Sequence, residues 1–334
     1  MLRVLVALCL VGAALAGPPV SRTRSEIEKF RDFLESTRTG KPYKISPVNP
    51  EASVWENSGK YQGDILLDDE EVESMVEQFA AGRVAYIRPN TRWPSRTVVY
   101  EFANGHFDAA QRDYVLYTIR VLEQRTCIRF RRRNPGEFNY VRLTVNPNGC
   151  YASVGYGANR GVHTMNLARN APGRGCFNRI VIIHEWLHVI GFFHMQSAYN
   201  RDHYVRINWQ NIQNGMGHNF DRYDSSIVSN LGLAYEYDSC MHYGAHAFSF
   251  NGRTTIDALK PHTGMMGQTT YVTGFDFWRV GRHYGCEPWR KPEDYEPYYE
   301  GAEEIAAKEE DVAKEEEVAQ EEDVAKEEVA EAEE

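Results

Sequence analysis

Past residue 16 the 334-residue sequence contains no apolar run of the roughly 20 residues that a membrane-crossing helix needs. That excludes a spanning segment after the N-terminus. After Tyr299 it contains no aromatic residue and few large apolar ones, so residues 301–334 cannot build a packed core and read as an acidic, low-complexity, solvated tail. The tail also lacks a heptad. Glu-Glu-Asp-Val-Ala-Lys-Glu-Glu recurs at 309–316 and 321–328, a period of twelve that argues against a coiled coil. Its 16 acidic and 3 basic side chains exceed the net charge of −10 carried by the whole chain, which leaves the remainder slightly positive. Global charge therefore says nothing about a partner for that remainder, and no nucleic-acid partner is expected.

An even set of cysteines is missing as well. Residues 1–16 carry Arg3, an apolar stretch and a closing Ala14-Leu15-Ala16, the pattern of a secretory signal peptide with a small-x-small cleavage site. Its removal takes Cys9 away and leaves Cys127, Cys150, Cys176, Cys240 and Cys286. Five cysteines in an oxidising extracellular compartment leave one thiol over, and spacing alone does not fix which pairs form. The expectation is a secreted protein with no membrane association.

What the sequence does contain is a stretch at 180–202 that the rest is arranged around. It opens Ile-Val-Ile-Ile-His-Glu-Trp-Leu-His-Val-Ile-Gly-Phe-Phe-His. On a helix, His184 and His188 lie one turn apart on one face, a spacing that suits two nitrogen ligands of one zinc ion. Glu185 is placed to reach a water at the metal rather than the metal itself. Gly191 can take the left-handed conformation that ends a helix sharply, and the turn brings in His194. Three imidazoles leave a tetrahedral zinc one open position, the arrangement of a catalytic site.

Continued by Arg201-Asp202 and by Tyr204-Val205, this pattern resembles the astacin family of metzincin metalloproteases. Tyr237-Asp238-Ser239-Cys240-Met241-His242-Tyr243 resembles that family's methionine turn. The resemblance runs from about residue 61 to 286. It implies a two-lobed α+β protease with a central zinc helix and a cleft, one zinc per chain held by His184, His188 and His194, and Met241 beneath the metal. It further implies Tyr243 as a displaceable fourth protein ligand, and disulfides joining Cys127 to Cys286 and Cys150 to Cys176. Cys240 is then left over inside the turn, where a small buried apolar side chain fits. The implied reaction is peptide-bond hydrolysis, with Glu185 as general base and Tyr243 as donor to the developing oxyanion. Protein or peptide chains are the substrates.

Upstream, Tyr61-Gln62-Gly63-Asp64-Ile65-Leu66 reads locally as a Gly-Asp turn before an acidic helix at 68–79. It also resembles the short propeptide motif in which an aspartate occupies the metal, which makes Asp64 the zymogen's zinc ligand. The expected organisation is a signal peptide at 1–16, a propeptide with an aspartate switch at 17–83, a catalytic domain at 84–287 and the acidic tail at 288–334. An activating protease would cut near Arg83 and free Val84. Arg129-Phe130-Arg131-Arg132-Arg133 reads instead as a solvated basic strand edge. Elsewhere the periodicities predict helices over 25–36, 108–124 and 275–283 and strands at 97–102, 128–131 and 141–145, with a turn-rich segment at 150–156.

Three positions depart from the family pattern. Met195 stands where a glutamate usually follows the third histidine, and Ala198 and Asn200 replace an Arg-x-Asp. In the family that glutamate helps to hold the new N-terminus, and a thioether cannot accept such hydrogen bonds strongly. Two other functions stand beside the protease reading: a catalytically impaired, secreted, zinc-containing binding protein, and an interaction protein whose acidic tail is the working part.

Overall fold

The computed structural model describes residues 22–40, 56, 58–81, 91–223, 231–286 and 296–299. The signal peptide expected at 1–16 and the activation point expected after Arg83 lie outside the described residues, as does the tail expected at 288–334 apart from residues 296–299, where Tyr298 and Tyr299 form a strand and Tyr298 is buried in the core rather than solvated. Most of the proline-rich residues 41–57 are outside them too.

Two helices precede residue 91: α1 (Arg24–Arg38) and α2 (Asp69–Ala80). Each starts in a reciprocal capping box, Thr23 with Glu26 and Asp68 with Glu71, which satisfies two otherwise orphaned N–H groups per helix. They pack on each other through a Phe30–Phe79 ring stack at 4.3 Å. Leu34, Val72 and Met75 form their shared core together with Tyr61, Ile65 and, from further along the chain, Val154.

The first lobe contains β1 (Thr97–Phe102), α3 (Ala109–Arg125), β2 (Arg129–Arg132), β3 (Tyr140–Thr144), β4 (Cys150–Ala152), β5 (Val162–Leu167) and α4 (Arg179–Val189). Its sheet has the order β2-β1-β3-β5-β4, parallel throughout except for β4, which runs antiparallel to β5. The basic segment 129–133 falls on one edge of this sheet. β4 forms the other edge, inside the segment that reads as turn-rich in the sequence. Only its pairing with β5, Cys150 opposite Leu167 and Ala152 opposite Met165, makes three residues a strand. Val115, Ile119 and Leu122 of α3, Leu143 of β3, Met165 of β5 and Trp186 of α4 belong to one buried core.

The second lobe has little regular structure. β6 (Val205–Ile207) pairs with β7 (Ile256–Ala258), and Phe220, Tyr243 and Phe248 fill a smaller core beside them. β8 (Tyr271–Val272) and the helix α5 (Gly274–Tyr284) follow, and β9 (Tyr298–Tyr299) pairs with β8. Gly285, in the left-handed conformation at φ 63°, ends α5 one residue before Cys286. Cys286 is bonded to Cys127 across 159 residues, tying the end of α5 to the turn after α3, and Cys150 is bonded to Cys176. The architecture is the α+β, two-lobed one expected, with α4 packed in the core of the first lobe.

His163 on β5 is fully buried against Trp93 and Tyr156. Its Nε2 accepts from the Gly157 N–H at 2.9 Å and its Nδ1 faces the Gly161 carbonyl at 3.2 Å, which fixes the neutral form. Burial, reinforced by the positive charge of Arg160, lowers its pKa to about 3. A histidine whose folded pKa lies below its unfolded value near 6.5 contributes stability above that value, and loses it as pH falls toward the folded pKa. Between pH 7 and pH 5 the cost is about 2 kcal/mol. Urea unfolding should show His163→Gln losing less stability than the wild type over that interval by this amount; equal losses would contradict it.

Candidate active site

α4 is buried from Ile180 to Val189 on every face, so its apolar residues have no solvent side and its three charged or polar ones need partners. Asn178 caps it, its Oδ1 accepting from the N–H groups of Ile180 at 2.8 Å and Val181 at 3.2 Å. Past the helix, Gly191 sits at φ +107°, where a Cβ would press on Thr91 Oγ1 and His283 Nε2 at 3.1 and 3.3 Å. The chain can turn there only because no side chain is present. The turn carries His194 back to the other two histidines. Ring centroids lie 4.7 Å apart for His184 and His188, 4.8 Å for His188 and His194, and 5.4 Å for His184 and His194.

Each Nδ1 is turned away from the centre. That of His184 meets the Cys240 carbonyl at 2.8 Å, that of His188 the Phe192 carbonyl at 2.7 Å and that of His194 the Gln62 Oε1 at 3.3 Å. A carbonyl only accepts, so the protons belong on Nδ1 and the Nε2 lone pairs converge. Between them lies Asp64, also fully buried. Its Oδ2 is 3.0 Å from His184 Nε2 and 3.2 Å from His194 Nε2, and its Oδ1 is 3.5 Å from His188 Nε2. All four ligand atoms fall within 4.8 Å of one another. Lone pairs of three imidazoles aimed at a carboxylate repel unless a cation lies among them. His188 Nε2 and Asp64 Oδ1 also have no hydrogen-bond partner among the described residues. Three nitrogens and one oxygen at this separation fit zinc.

Glu185 follows on the same helix, completely buried, and neither carboxylate oxygen has a hydrogen-bond partner among the described residues. Burial, and after it the charge of Asp64, pushes its pKa well above the ordinary carboxylate value. The turn around Met241, whose Cys240 carbonyl meets His184, is held by Asp276, which accepts from Ser239 Oγ at 2.6 Å and from the Cys240 N–H at 3.1 Å. The buried Met241 carbonyl accepts from the Met195 N–H at 2.8 Å. The methionine turn is thus joined to the residue after His194 by backbone alone, whatever the side chain at 195. The Met195 side chain packs against the second lobe's core, and Ala198 is buried there too. Cys240 is free and buried, and its thiol is pushed up by burial first and then by Asp276.

Tyr243 is fully buried, its ring 4.7 Å from that of His194, and its hydroxyl donates to the Gln62 carbonyl at 2.6 Å. Gln62 therefore touches three groups of the site, since its Nε2 also donates to Ser197 Oγ at 3.1 Å. Spacing in the sequence does not single it out, although it lies inside the motif around Asp64. Gly63, at φ +84° with Glu56 Cα only 3.0 Å from where a Cβ would be, lets the backbone turn Asp64 inward. On leaving the site the segment lies along β4: the Ala152 N–H donates to the Asp64 carbonyl and the Leu66 N–H to the Ala152 carbonyl, both at 2.9 Å. It meets the open sheet edge through one parallel bridge, Ile65 opposite Ala152.

Comparison with known proteins agrees with this geometry. The family model described as Astacin, a peptidase family, matches residues 85–285. Zinc metalloproteinase nas-4 of Caenorhabditis elegans is 32% identical over 230 residues, which is 68% of this chain and 70% of that protein. Seminal metalloprotease 1 of Drosophila melanogaster is 32% identical over 231 residues, covering 69% of this chain and 88% of that one. Other relatives are longer: the match spans 44% of zinc metalloproteinase nas-13 of C. elegans. Among solved structures, high choriolytic enzyme 1, a hatching enzyme zinc-protease from Oryzias latipes, superposes with a TM-score of 0.52 at 30% identity, over 59% of this chain and 94% of that one.

Proposed function

The chain belongs to the astacin family of zinc metalloendopeptidases, and from that premise we propose that it is made as a secreted zymogen whose residues 17–83 hold residues 84–287 latent. The observation that carries the proposal is the Asp64 carboxylate set against all three histidine Nε2 atoms, in a segment that also meets the open sheet edge. A peptide substrate needs the same edge and the same space. Removing the segment by a cut near Arg83 therefore frees both at once. Secretion is supported by the leader pattern at 1–16 and by two disulfides, which persist in an oxidising compartment.

Zinc bound by His184, His188 and His194 supplies Lewis acidity, lowering the pKa of water and polarising the scissile carbonyl. The remaining steps belong to the chain. Glu185, with both oxygens unpartnered, takes the proton of the attacking water and returns it to the departing amine. Tyr243 now donates to Gln62, and departure of the propeptide frees its hydroxyl to donate to the oxyanion as charge develops there.

The test is cleavage of a peptide library by protein processed at Arg83, with and without a chelator. Activity should appear on processing, fall to background when zinc is withdrawn and return when zinc is restored. Correctly folded, zinc-loaded, processed protein that cuts nothing would replace this reading by that of a zinc-containing binding protein, with Met195 as the first position to revert to glutamate.

A further inference from the structure

Arg160, in the loop between β4 and β5, has its side chain only 4% exposed. Its Nε donates to Asp68 Oδ2 at 2.7 Å and its Nη2 to Glu71 Oε1 at 2.6 Å, so both its carboxylate partners come from the first turn of the pro-segment helix α2. Its Nη1 lies 3.3 and 3.4 Å from the carbonyls of Val154 and Gly155, the residues just past β4. These bonds differ in what happens on activation. The two carboxylates leave with the propeptide, while the two carbonyls belong to the catalytic region and stay. A guanidinium stripped of both anions, yet still aimed by its own backbone, is a preorganised acceptor site for another carboxylate. A crevice between the pro-segment and the edge of the sheet borders it, walled by Leu66, Leu67 and Asp68 on one side and by Ser153, Val162 and Thr164 on the other; only the second wall stays after processing.

We propose that in the processed enzyme Arg160 is a specificity-determining residue, and that it selects peptide substrates with an Asp or Glu three to five residues from the cleaved bond. The position follows from the register of the pro-segment. Asp64 lies at the histidines, the Leu66 N–H donates to Ala152, and Asp68, four residues from Asp64, reaches Arg160. An extended peptide seated on the same edge, with its reacting bond at the histidines, passes Val154 and Gly155 at that distance on one side. A carboxylate there meets a charge-assisted, two-armed donor, whereas an amide of the same shape meets a charge it cannot neutralise. Asp68 and Glu71 are then the zymogen's own imitation of that acidic residue. This inference rests on residues 17–83 acting as a removable propeptide.

The experiment uses protein processed at Arg83, as wild type and as Arg160→Gln, and matched peptides carrying Asp or Asn at each position from three to five residues on either side of one cleavable bond. The wild type should favour Asp over Asn by about tenfold in kcat/KM at one of these positions, through KM rather than kcat. Arg160→Gln should bring the Asp-to-Asn ratio close to one, and Arg160→Lys should restore part of it. The same peptides are titrated against Glu185→Ala protein by fluorescence anisotropy, so that preference is read without turnover. If processed wild type cuts nothing, the peptidase reading fails while the binding arm still decides this one. An Asp preference that survives Arg160→Gln, or no Asp preference in the wild type, overturns the proposal.

Discussion

Replacing Glu185 by glutamine is expected to lower kcat of the processed enzyme by about 10³-fold while the protein still binds one zinc. The two parts of the expectation come from different atoms. The metal-facing atoms are the Nε2 nitrogens of His184, His188 and His194 with the carboxylate of Asp64, and Glu185 is not among them. Glutamine keeps nearly the volume of glutamate inside a helix that is buried on every face, so packing around Trp186 and Ile183 is undisturbed. What it loses is the ability to take a proton. Metal content by atomic absorption and single-turnover cleavage of a fluorogenic peptide separate the two parts. A variant that retains activity within tenfold would move the general base elsewhere; one that loses zinc would make the residue structural.

Asp64→Ala in the uncut chain is expected to raise activity by about 10²-fold over the uncut wild type, without any processing at Arg83. Removing one partner from a buried charged cluster typically costs about 3 to 5 kcal/mol, and about 1.4 kcal/mol corresponds to tenfold in the population of an open cleft. The remaining pro-segment contacts oppose full release. Tyr61 and Ile65 stay buried, Gln62 still bonds Ser197 and Tyr243, and Arg160 still holds Asp68 and Glu71. The variant should therefore fall short of the processed enzyme. Comparing uncut wild type, uncut Asp64→Ala and processed protein on one substrate gives the ordering. If the uncut variant is as inert as the wild type, latency resides in coverage of β4 and not in the carboxylate.

Much of the site lies in one continuous stretch, and for that reason it can be read locally. His184 and His188 are a helical turn apart, Glu185 is adjacent, and Gly191 marks a turn that only glycine makes easily, at φ +107° in the folded chain. The departures at Met195 and Ala198 are equally visible as residues, but their consequence is not. The structure joins residue 195 to the methionine turn through a main-chain bond, from the Met195 N–H to the Met241 carbonyl, which no side chain controls. The basic run at 129–133 reads as a solvated strand edge in the sequence, and β2 lies at one end of the sheet.

By itself the sequence determined the family, the three histidines on and after one helix, the α+β class and the helices near 25–36, 68–79, 108–124 and 275–283, because each depends on residues within a few positions of one another or on a spaced motif. Tertiary structure alone decided the rest. The strand β4 exists because β5 pairs with it, the tautomers of the three histidines depend on carbonyls of Cys240 and Phe192 and on Gln62, and Arg160 acquires its partners from residues 89 and 92 positions away. Hydrogen bonds and ion pairs of this kind are set by which surfaces the fold brings together. No local pattern of residues encodes them, since an arginine in a glycine-rich loop looks the same whether it ends in solvent or between two carboxylates.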